Sequence, residues 1–182
     1  MQKEVSRKRK IARLIHSRAN DARLSSLVKI QPVHLVSFEP VRTYALFASP
    51  LARARLLAEA LGTPRLDPRL KEIHFGEWEG RSYDDIGQAA LDAWVAEPLD
   101  FAPPGGESPR QMAERALDFL ADLRAAGPAA AVVVAHGGPL RALAGELLGL
   151  PPERWLGLDF GCGEVTRLDL HDWGTVLRWF NR

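Results

Sequence analysis

The architecture of this chain is predicted by the stretch Ala131-Val132-Val133-Val134-Ala135-His136-Gly137-Gly138-Pro139-Leu140-Arg141. The apolar run 131–135 is typical of a buried strand in a parallel sheet, and apolar residues recur after it at helical spacing: Leu140, Leu143, Ala144 and Leu147. His136 is therefore expected at the carboxyl end of a strand, the edge at which open α/β sheets bind ligands. Backbone N–H groups at the start of the following helix would face the same crevice and favour an anion. Taken alone, a histidine in this position is more often a packed structural residue.

A second strand, turn and helix are predicted between residues 44 and 61. The strand is the run 44–48, and the helix carries Leu56, Leu57, Ala60 and Leu61. Ser49 suits the N-cap and Pro50 the first helical position, so Arg53 falls about one turn inside the helix and could reach back over the strand end. Its guanidinium offers a rigid fork of donors that matches phosphate oxygens. For Arg55 a solvated helix face is the preferred interpretation.

The segment 67–80 is expected to form a loop packed by its own aromatic side chains and glycines. Its candidates for acid–base chemistry are Glu72, His74, Glu77 and Glu79. Such a loop can hold a carboxyl group against apolar surface, where loss of water favours the protonated form that a general acid needs. Most acidic loop residues are merely solvated, and periodicity alone does not select one of the three glutamates.

Two further elements are predicted towards the carboxyl terminus. Ser108, followed by Pro109 and Gln111, is a capping signature for a helix that ends near Gly127. Glu107, just before it, could line a pocket or act as a first-turn carboxylate favoured by the helix dipole. The runs 165–170 and 175–180 flank a turn and indicate a β-hairpin, with a solvated His171 at that turn.

Together these segments resemble the histidine phosphatase superfamily, which has the phosphoglycerate-mutase-like fold, and within it the α-ribazole phosphatase branch. The resemblance covers about residues 45 to 182 and is carried by four stretches: Ser49–Ala54, Leu70–Gly80, Pro104–Ser108 and Val134–Gly138. It implies an α/β three-layer sandwich with a mostly parallel central sheet and helices on both faces. It also implies hydrolysis of a phosphate ester through a phosphohistidine, with no metal and no cofactor.

Carried over residue by residue, the resemblance assigns phosphate binding to Arg53, His136 and Gly137, and proton donation to the leaving oxygen to Glu72. His136 would also stabilise the transferring phosphoryl group. The implied substrate is a small phosphate monoester, with α-ribazole-5'-phosphate of cobalamin biosynthesis favoured. Two alternatives stay open: a phosphoglycerate-mutase-like enzyme, and a non-catalytic relative that binds a phosphorylated ligand or a partner.

The nucleophile departs from the family pattern, which places it in an Arg-His-Gly or Arg-His-Pro motif after the first strand. This chain has five histidines and neither tripeptide. The stretch most similar to this motif is Arg13-Leu14-Ile15-His16-Ser17-Arg18, so His16 is the candidate nucleophile, ahead of His34. For both, an exposed or packed histidine is the favoured interpretation. The missing motif makes impaired activity an open outcome.

Charge sets the amino-terminal segment apart from the rest. Residues 1–45 carry ten basic and three acidic side chains, a net +7, whereas the remainder carries a net −6. We therefore divide the chain into an atypical basic segment, 1–43, and a histidine phosphatase-like domain, 44–182. The segment is interpreted first as a poorly packed leader, a replaced, mis-started or frame-shifted first strand, and second as an interaction tail. No aromatics interleave with its charges, so specific nucleic-acid binding is not expected.

Composition limits the remaining function classes. With 182 residues and 46% hydrophobic content, the chain is expected to form one globular core. No apolar stretch approaches the length that spans a membrane. The single cysteine, Cys162, excludes an internal disulfide and points to a reducing compartment, the cytoplasm. No zinc site is indicated, and a homodimer is left open.

Overall fold

A computed structural model describes residues 44–182. Its central sheet has three strands, β1 (Ala45–Ala48), β2 (Arg65–Leu66) and β3 (Ala131–Val134), in the order β2-β1-β3. Both pairings are parallel, and β1 and β3 lie in register from Ala45 opposite Ala131 to Ala48 opposite Val134. The predicted buried parallel strands are therefore confirmed. The segment 1–43, with His16 and His34, lies outside the described residues.

The described part of the chain contains five α-helices. They are α1 (Ala52–Leu61), α2 (Tyr83–Ile86), α3 (Gln88–Ala96), α4 (Pro109–Ala126) and α5 (Gly137–Leu147). Three 3-10 turns lie between them: Pro68–Leu70, Gly76–Trp78 and Pro152–Gly157. None of the helices in residues 44–182 is both long and apolar enough to cross a membrane.

Helices cover both faces of the sheet because successive strand residues point to opposite sides. On one side, Leu46, Ala48, Val132 and Val134 pack in a single buried cluster with residues of α1. On the other side, Val133 packs with residues of α4 and α5, and Phe47 meets Phe119 of α4 edge to face, with 5.3 Å between ring centres. The three-layer α/β sandwich predicted from the sequence is thus observed.

Helix α4 begins and ends as the sequence predicts. The Ser108 hydroxyl accepts a hydrogen bond from the Gln111 amide at 3.2 Å, and the Gln111 side chain accepts one from the Ser108 amide at 2.8 Å. These reciprocal bonds form a capping box. Gly127 ends the helix in the left-handed conformation, at φ 56°, which glycine adopts without steric cost.

Helix α1 begins later than the sequence predicts. Its N-cap is Leu51 and its first residue is Ala52, so Ser49 and Pro50 precede the helix and Arg53 is its second residue. The Ser49 hydroxyl accepts a hydrogen bond from the Leu51 amide at 3.2 Å, and its second partner is the ring of His136 at 2.8 Å. The predicted capping role was wrong because this hydroxyl serves a turn and a buried histidine instead.

The predicted terminal hairpin is confirmed. Strands β4 (Arg167–His171) and β5 (Gly174–Trp179) pair antiparallel and form a second sheet. At its tip the exposed ring of His171 stacks on Trp173, with 5.1 Å between ring centres.

Candidate active site

His136 lies where β3 ends and α5 begins, and its side chain is fully buried. Arg53 Nε donates to His136 Nδ1 at 3.1 Å, and His136 Nε2 lies 2.8 Å from Ser49 Oγ. Because a guanidinium can only donate, Nδ1 must be the unprotonated nitrogen and Nε2 the one that donates to Ser49. Burial, with the positive charges of Arg53 and Arg115, lowers the pKa of His136 to about 3. At neutral pH His136 is therefore uncharged and held in one tautomer.

Arg53 reaches His136 because β1 and β3 are adjacent parallel strands whose carboxyl ends share one edge of the sheet. The Ser49 amide donates to the Val134 carbonyl at 2.9 Å and continues the pairing past the end of β1. Helix α1 then starts within three residues of this bond, so its second residue, Arg53, stands over the strand end. The structure thus brings together two of the residues to which the sequence assigned phosphate binding.

Glu72 follows the 3-10 turn Pro68–Leu70, which is anchored by the fully buried Leu70. Glu72 Oε1 accepts hydrogen bonds from the amides of Ile73 and Gly138, each at 3.1 Å. Burial raises the pKa of Glu72 above its ordinary value, although these two amides and the charges of Arg53 and Arg141 oppose the rise. The carboxyl group therefore retains its proton to a higher pH than a solvated glutamate does.

The other three acid–base candidates of this loop are exposed: His74, Glu77 and Glu79. Glu79 accepts a hydrogen bond from the Phe75 amide at 3.0 Å and so shapes the loop. Only Glu72 contacts the start of α5. At the facing position, a Cβ atom on Gly138 would lie 2.5 Å from Glu72 Oε1, so the approach of the carboxyl group requires glycine there.

Gly137 is the buried first residue of the eleven-residue helix α5 and follows His136 directly. Its amide belongs to the first turn, whose N–H groups have no partner within the helix and carry its positive dipole end. The neighbouring amide of Gly138 is already bound to Glu72. Gly137 therefore lies at the edge where His136, Arg53 and Glu72 converge, and its role in phosphate binding stays a prediction.

Arg115 of α4 was missed by the sequence analysis. Its Nη1 donates to the carbonyls of Arg69 at 2.6 Å and Lys71 at 2.8 Å, and its Nη2 donates to the Glu72 carbonyl at 3.2 Å. Its Nε and Nη2 also bind the two carboxylate oxygens of Glu107, at 3.0 and 2.6 Å. One guanidinium thus fixes the backbone of the segment that presents Glu72.

Glu107 is not the first-turn carboxylate of α4 that the sequence suggested. It precedes the N-cap Ser108, so it is not a first-turn residue of α4, and its carboxylate pairs with Arg115 and accepts the His74 amide at 3.0 Å. The only local signal was the eight-residue spacing of Glu107 and Arg115 across a helix start. Nothing in the sequence shows that Arg115 also binds three backbone carbonyls of the segment 69–72.

We expect Arg115→Ala to lower the free energy of unfolding by about 3 kcal/mol, because it removes one partner of a largely buried ion pair. Urea unfolding at neutral pH measures the change. Arg178→Ala is the matched control, since Arg178 pairs with Asp169 at a position where its side chain is 51% exposed, and such a pair contributes at most about 1 kcal/mol. Equal losses of unfolding free energy in the two variants would contradict the proposed role of Arg115 in fixing the segment that presents Glu72.

His136 predicts an acid-sensitive stability. Its pKa is about 3 in the folded protein against an ordinary value of 6.5, so the unfolded chain binds more protons between these values and stability falls as pH falls through this window. Between pH 7 and pH 4 the loss is roughly 3 kcal/mol. Urea unfolding between pH 7 and pH 4 measures the loss, and the difference between the unmodified protein and His136→Asn isolates the part due to His136, because the lowered pKa values of Asp67, Glu107 and Asp169 affect both proteins. The stability of His136→Asn should depend less on pH. An unchanged slope in His136→Asn would refute the assignment.

Sequence comparisons relate this chain to a family of phosphatases. The sequence profile of the histidine phosphatase superfamily (branch 1) matches residues 7–182. A glucosyl-3-phosphoglycerate phosphatase of Mycobacterium tuberculosis is 35% identical over 158 residues, which are 80% of this chain and 68% of that protein. The chain spans 59% of the length of the Mycolicibacterium vanbaalenii enzyme of the same name, at 35% identity over 140 residues and 71% of this chain.

Solved structures show the same likeness. The complex of the mycobacterial glucosyl-3-phosphoglycerate phosphatase with inorganic phosphate superposes with a TM-score of 0.65 at 33% identity and covers 76% of each chain. The α-ribazole phosphatase from Shigella flexneri superposes with a TM-score of 0.69 at 26% identity, over 76% of this chain and 73% of that one. From the profile match and these relatives, the chain belongs to the histidine phosphatase superfamily, branch 1.

Proposed function

We propose that this protein hydrolyses phosphate monoesters at the carboxyl edge of its central sheet, with α-ribazole-5'-phosphate as the substrate. One observation carries the reaction class: Arg53, His136 and Glu72, which come from three separate segments, converge at that edge. Arg53 supplies a positive charge for the phosphoryl oxygens, Glu72 supplies a carboxyl group with a raised pKa that can donate a proton, and His136 holds the Arg53 guanidinium at the strand end.

In the proposed reaction a histidine nitrogen attacks phosphorus, the P–O bond to the alcohol breaks, and Glu72 gives its proton to the leaving oxygen. Arg53 neutralises the phosphoryl oxygens and the first turn of α5 adds amide donors. Water then attacks phosphorus, the P–N bond to the histidine breaks, a proton of the water returns to the Glu72 carboxylate, and phosphate is released. His16 is the proposed nucleophile, and it lies outside the described residues.

Mutagenesis of the histidines tests the reaction class. Turnover of p-nitrophenyl phosphate that is abolished both in His136→Ala and in His16→Ala supports the scheme. Turnover that survives His16→Ala removes His16 as the nucleophile. If the unmodified chain binds inorganic phosphate but shows no turnover, the non-catalytic, ligand-binding alternative replaces the proposal.

The substrate is tested by comparing kcat/KM values. The fold of the Shigella flexneri α-ribazole phosphatase supports α-ribazole-5'-phosphate, whereas the higher identity to the Mycobacterium tuberculosis enzyme favours glucosyl-3-phosphoglycerate as the second candidate. We expect α-ribazole-5'-phosphate to be the best of three substrates, with 3-phosphoglycerate the third. A preference for either glycerate compound would overturn the assignment to cobalamin biosynthesis.

A further inference from the structure

A cavity of about 410 Å³ is lined by Glu72 and Gly138 together with residues of the loop after Glu72, of helix α4 and of the 3-10 turn Pro152–Gly157. Apolar side chains supply most of its wall, among them Phe75, Trp94, Leu99, Leu117 and Leu156. Neither Arg53 nor His136 lines it. Glu72 contacts the start of α5 through Gly138 and also lines this apolar cavity. An ester whose leaving oxygen takes the proton of Glu72 would therefore place its alcohol in the cavity.

The aromatic part of this wall is held in place by further rings. Trp94 meets Phe75 and Trp78 edge to face, with 6.4 and 6.2 Å between ring centres, and Trp78 packs on Phe101 at 5.4 Å. On the opposite side, Trp155 donates its indole N–H to the Leu150 carbonyl at 2.8 Å and packs against Gly145. A wall fixed in this way binds a flat apolar group without a large ordering cost.

The polar side chains of the wall are few and mostly engaged. Arg110 forms a bidentate pair with Asp100, at 2.5 and 3.0 Å, and Glu114 is exposed. Arg141 also lines the cavity, and it donates from Nε to the Leu158 carbonyl at 2.9 Å and from Nη2 to Asp159 at 3.5 Å. A guanidinium plane stacks on aromatic rings. A polyol, by contrast, would lose water in this space with few groups among the described residues to replace it.

We infer that this cavity receives the alcohol of the phosphate ester, and that the alcohol carries a flat, apolar aromatic ring. The inference rests on the proposed phosphatase activity and deepens it, since it assigns the leaving group a binding site in this cavity. Esters of small polyols that carry no ring, such as glycerol 3-phosphate, are then poor substrates, because their hydroxyl groups find few partners against Trp94 and Leu156.

Two phosphate esters of primary alcohols test the inference. The P–O bond that breaks is of the same kind in both, so a difference in kcat/KM reports the aromatic ring. We expect kcat/KM for 2-(1-naphthyl)ethyl phosphate to exceed that for glycerol 3-phosphate by about 100-fold, in the range that apolar pockets provide. Leu156→Asp and Trp94→Ala should each reduce this preference about tenfold or more. Leu156 is 65% exposed, so its substitution leaves the fold intact. Leu170→Asp, at a leucine of β4 that is 56% exposed and outside this cavity, is the matched control.

Equal kcat/KM values for the two esters, or a preference that Leu156→Asp leaves unchanged, would overturn the inference. If neither ester is hydrolysed, the proposed activity fails, and calorimetry with 2-(1-naphthyl)ethanol then decides about the cavity alone. Binding of this alcohol that Leu156→Asp weakens and Leu170→Asp does not would uphold the cavity as an aromatic site. Absence of binding to the unmodified protein would refute it.

Discussion

Glu72→Gln is expected to slow hydrolysis of glycerol 3-phosphate by about 10²–10⁴-fold, the usual contribution of a general acid. Glutamine keeps the oxygen that accepts the Ile73 and Gly138 amides at 3.1 Å but has no proton to give to the leaving alkoxide. Hydrolysis of p-nitrophenyl phosphate should change much less, because nitrophenolate leaves without a proton. The ratio of the two losses therefore reports proton donation and not damage to the fold.

The pH profile supplies a second measurement. Activity that depends on protonated Glu72 falls as pH rises through the raised pKa of this group, and this limb should vanish in Glu72→Gln. Glu77→Gln is the matched control, since Glu77 is an exposed glutamate of the same loop. If Glu77→Gln caused the selective loss, Glu77 and not Glu72 would be the proton donor.

The same substitution should stabilise the protein at neutral pH. The pKa of Glu72 is raised above its ordinary 4.5, so the folded protein binds more protons than the unfolded chain between these two values, and its stability falls as pH rises through this window. Glutamine removes that penalty. The difference in unfolding free energy between the two proteins should favour the variant above the raised pKa and disappear below pH 4.5. A variant less stable at neutral pH would contradict burial as the cause of the shift.

The parts of the site that depend on residues close together in the sequence could be predicted. The strand, turn and helix around His136 follow from an apolar run, two glycines and helical spacing within about twenty residues. Because parallel strands end at one edge of a sheet, two such units also indicate that Arg53 lies near His136. The structure places Arg53 Nε 3.1 Å from His136 Nδ1, across 83 residues of sequence.

The remainder depends on contacts between distant segments. Glu72 could not be separated from Glu77 and Glu79 by periodicity, because its burial comes from Gly138, which is 66 residues away. The roles of Arg115 and Ser49 were missed for the same reason: the first binds carbonyls 43 to 46 residues away, and the second binds a ring 87 residues away. Only the resemblance to a family selected Glu72, since a family pattern carries contacts that local spacing does not.

Arg53→Ala is expected to weaken binding of inorganic phosphate and to lower kcat/KM by about 10²–10³-fold. Removal of one fixed hydrogen-bond donor to a developing negative charge has an effect of this size in other enzymes. Calorimetry with phosphate measures the first effect without any turnover, so it also applies if the chain is a binding relative. Arg55→Ala is the matched control on the same helix, because Arg55 pairs with Glu59 at 2.7 Å on the exposed face.

Removal of Arg53 should also change the state of His136. Its positive charge and its hydrogen bond to Nδ1 both favour the neutral ring, so the pKa of His136 should rise from about 3 in Arg53→Ala. Nitrogen-15 NMR of the imidazole follows this titration and identifies the protonated nitrogen. With the guanidinium absent, Nδ1 is free to take a proton, and the fixed Nε2 tautomer should give way to a mixture. A His136 that keeps its tautomer and its pKa without Arg53, together with unweakened phosphate binding, would show that burial alone holds this ring and that the phosphate site lies elsewhere.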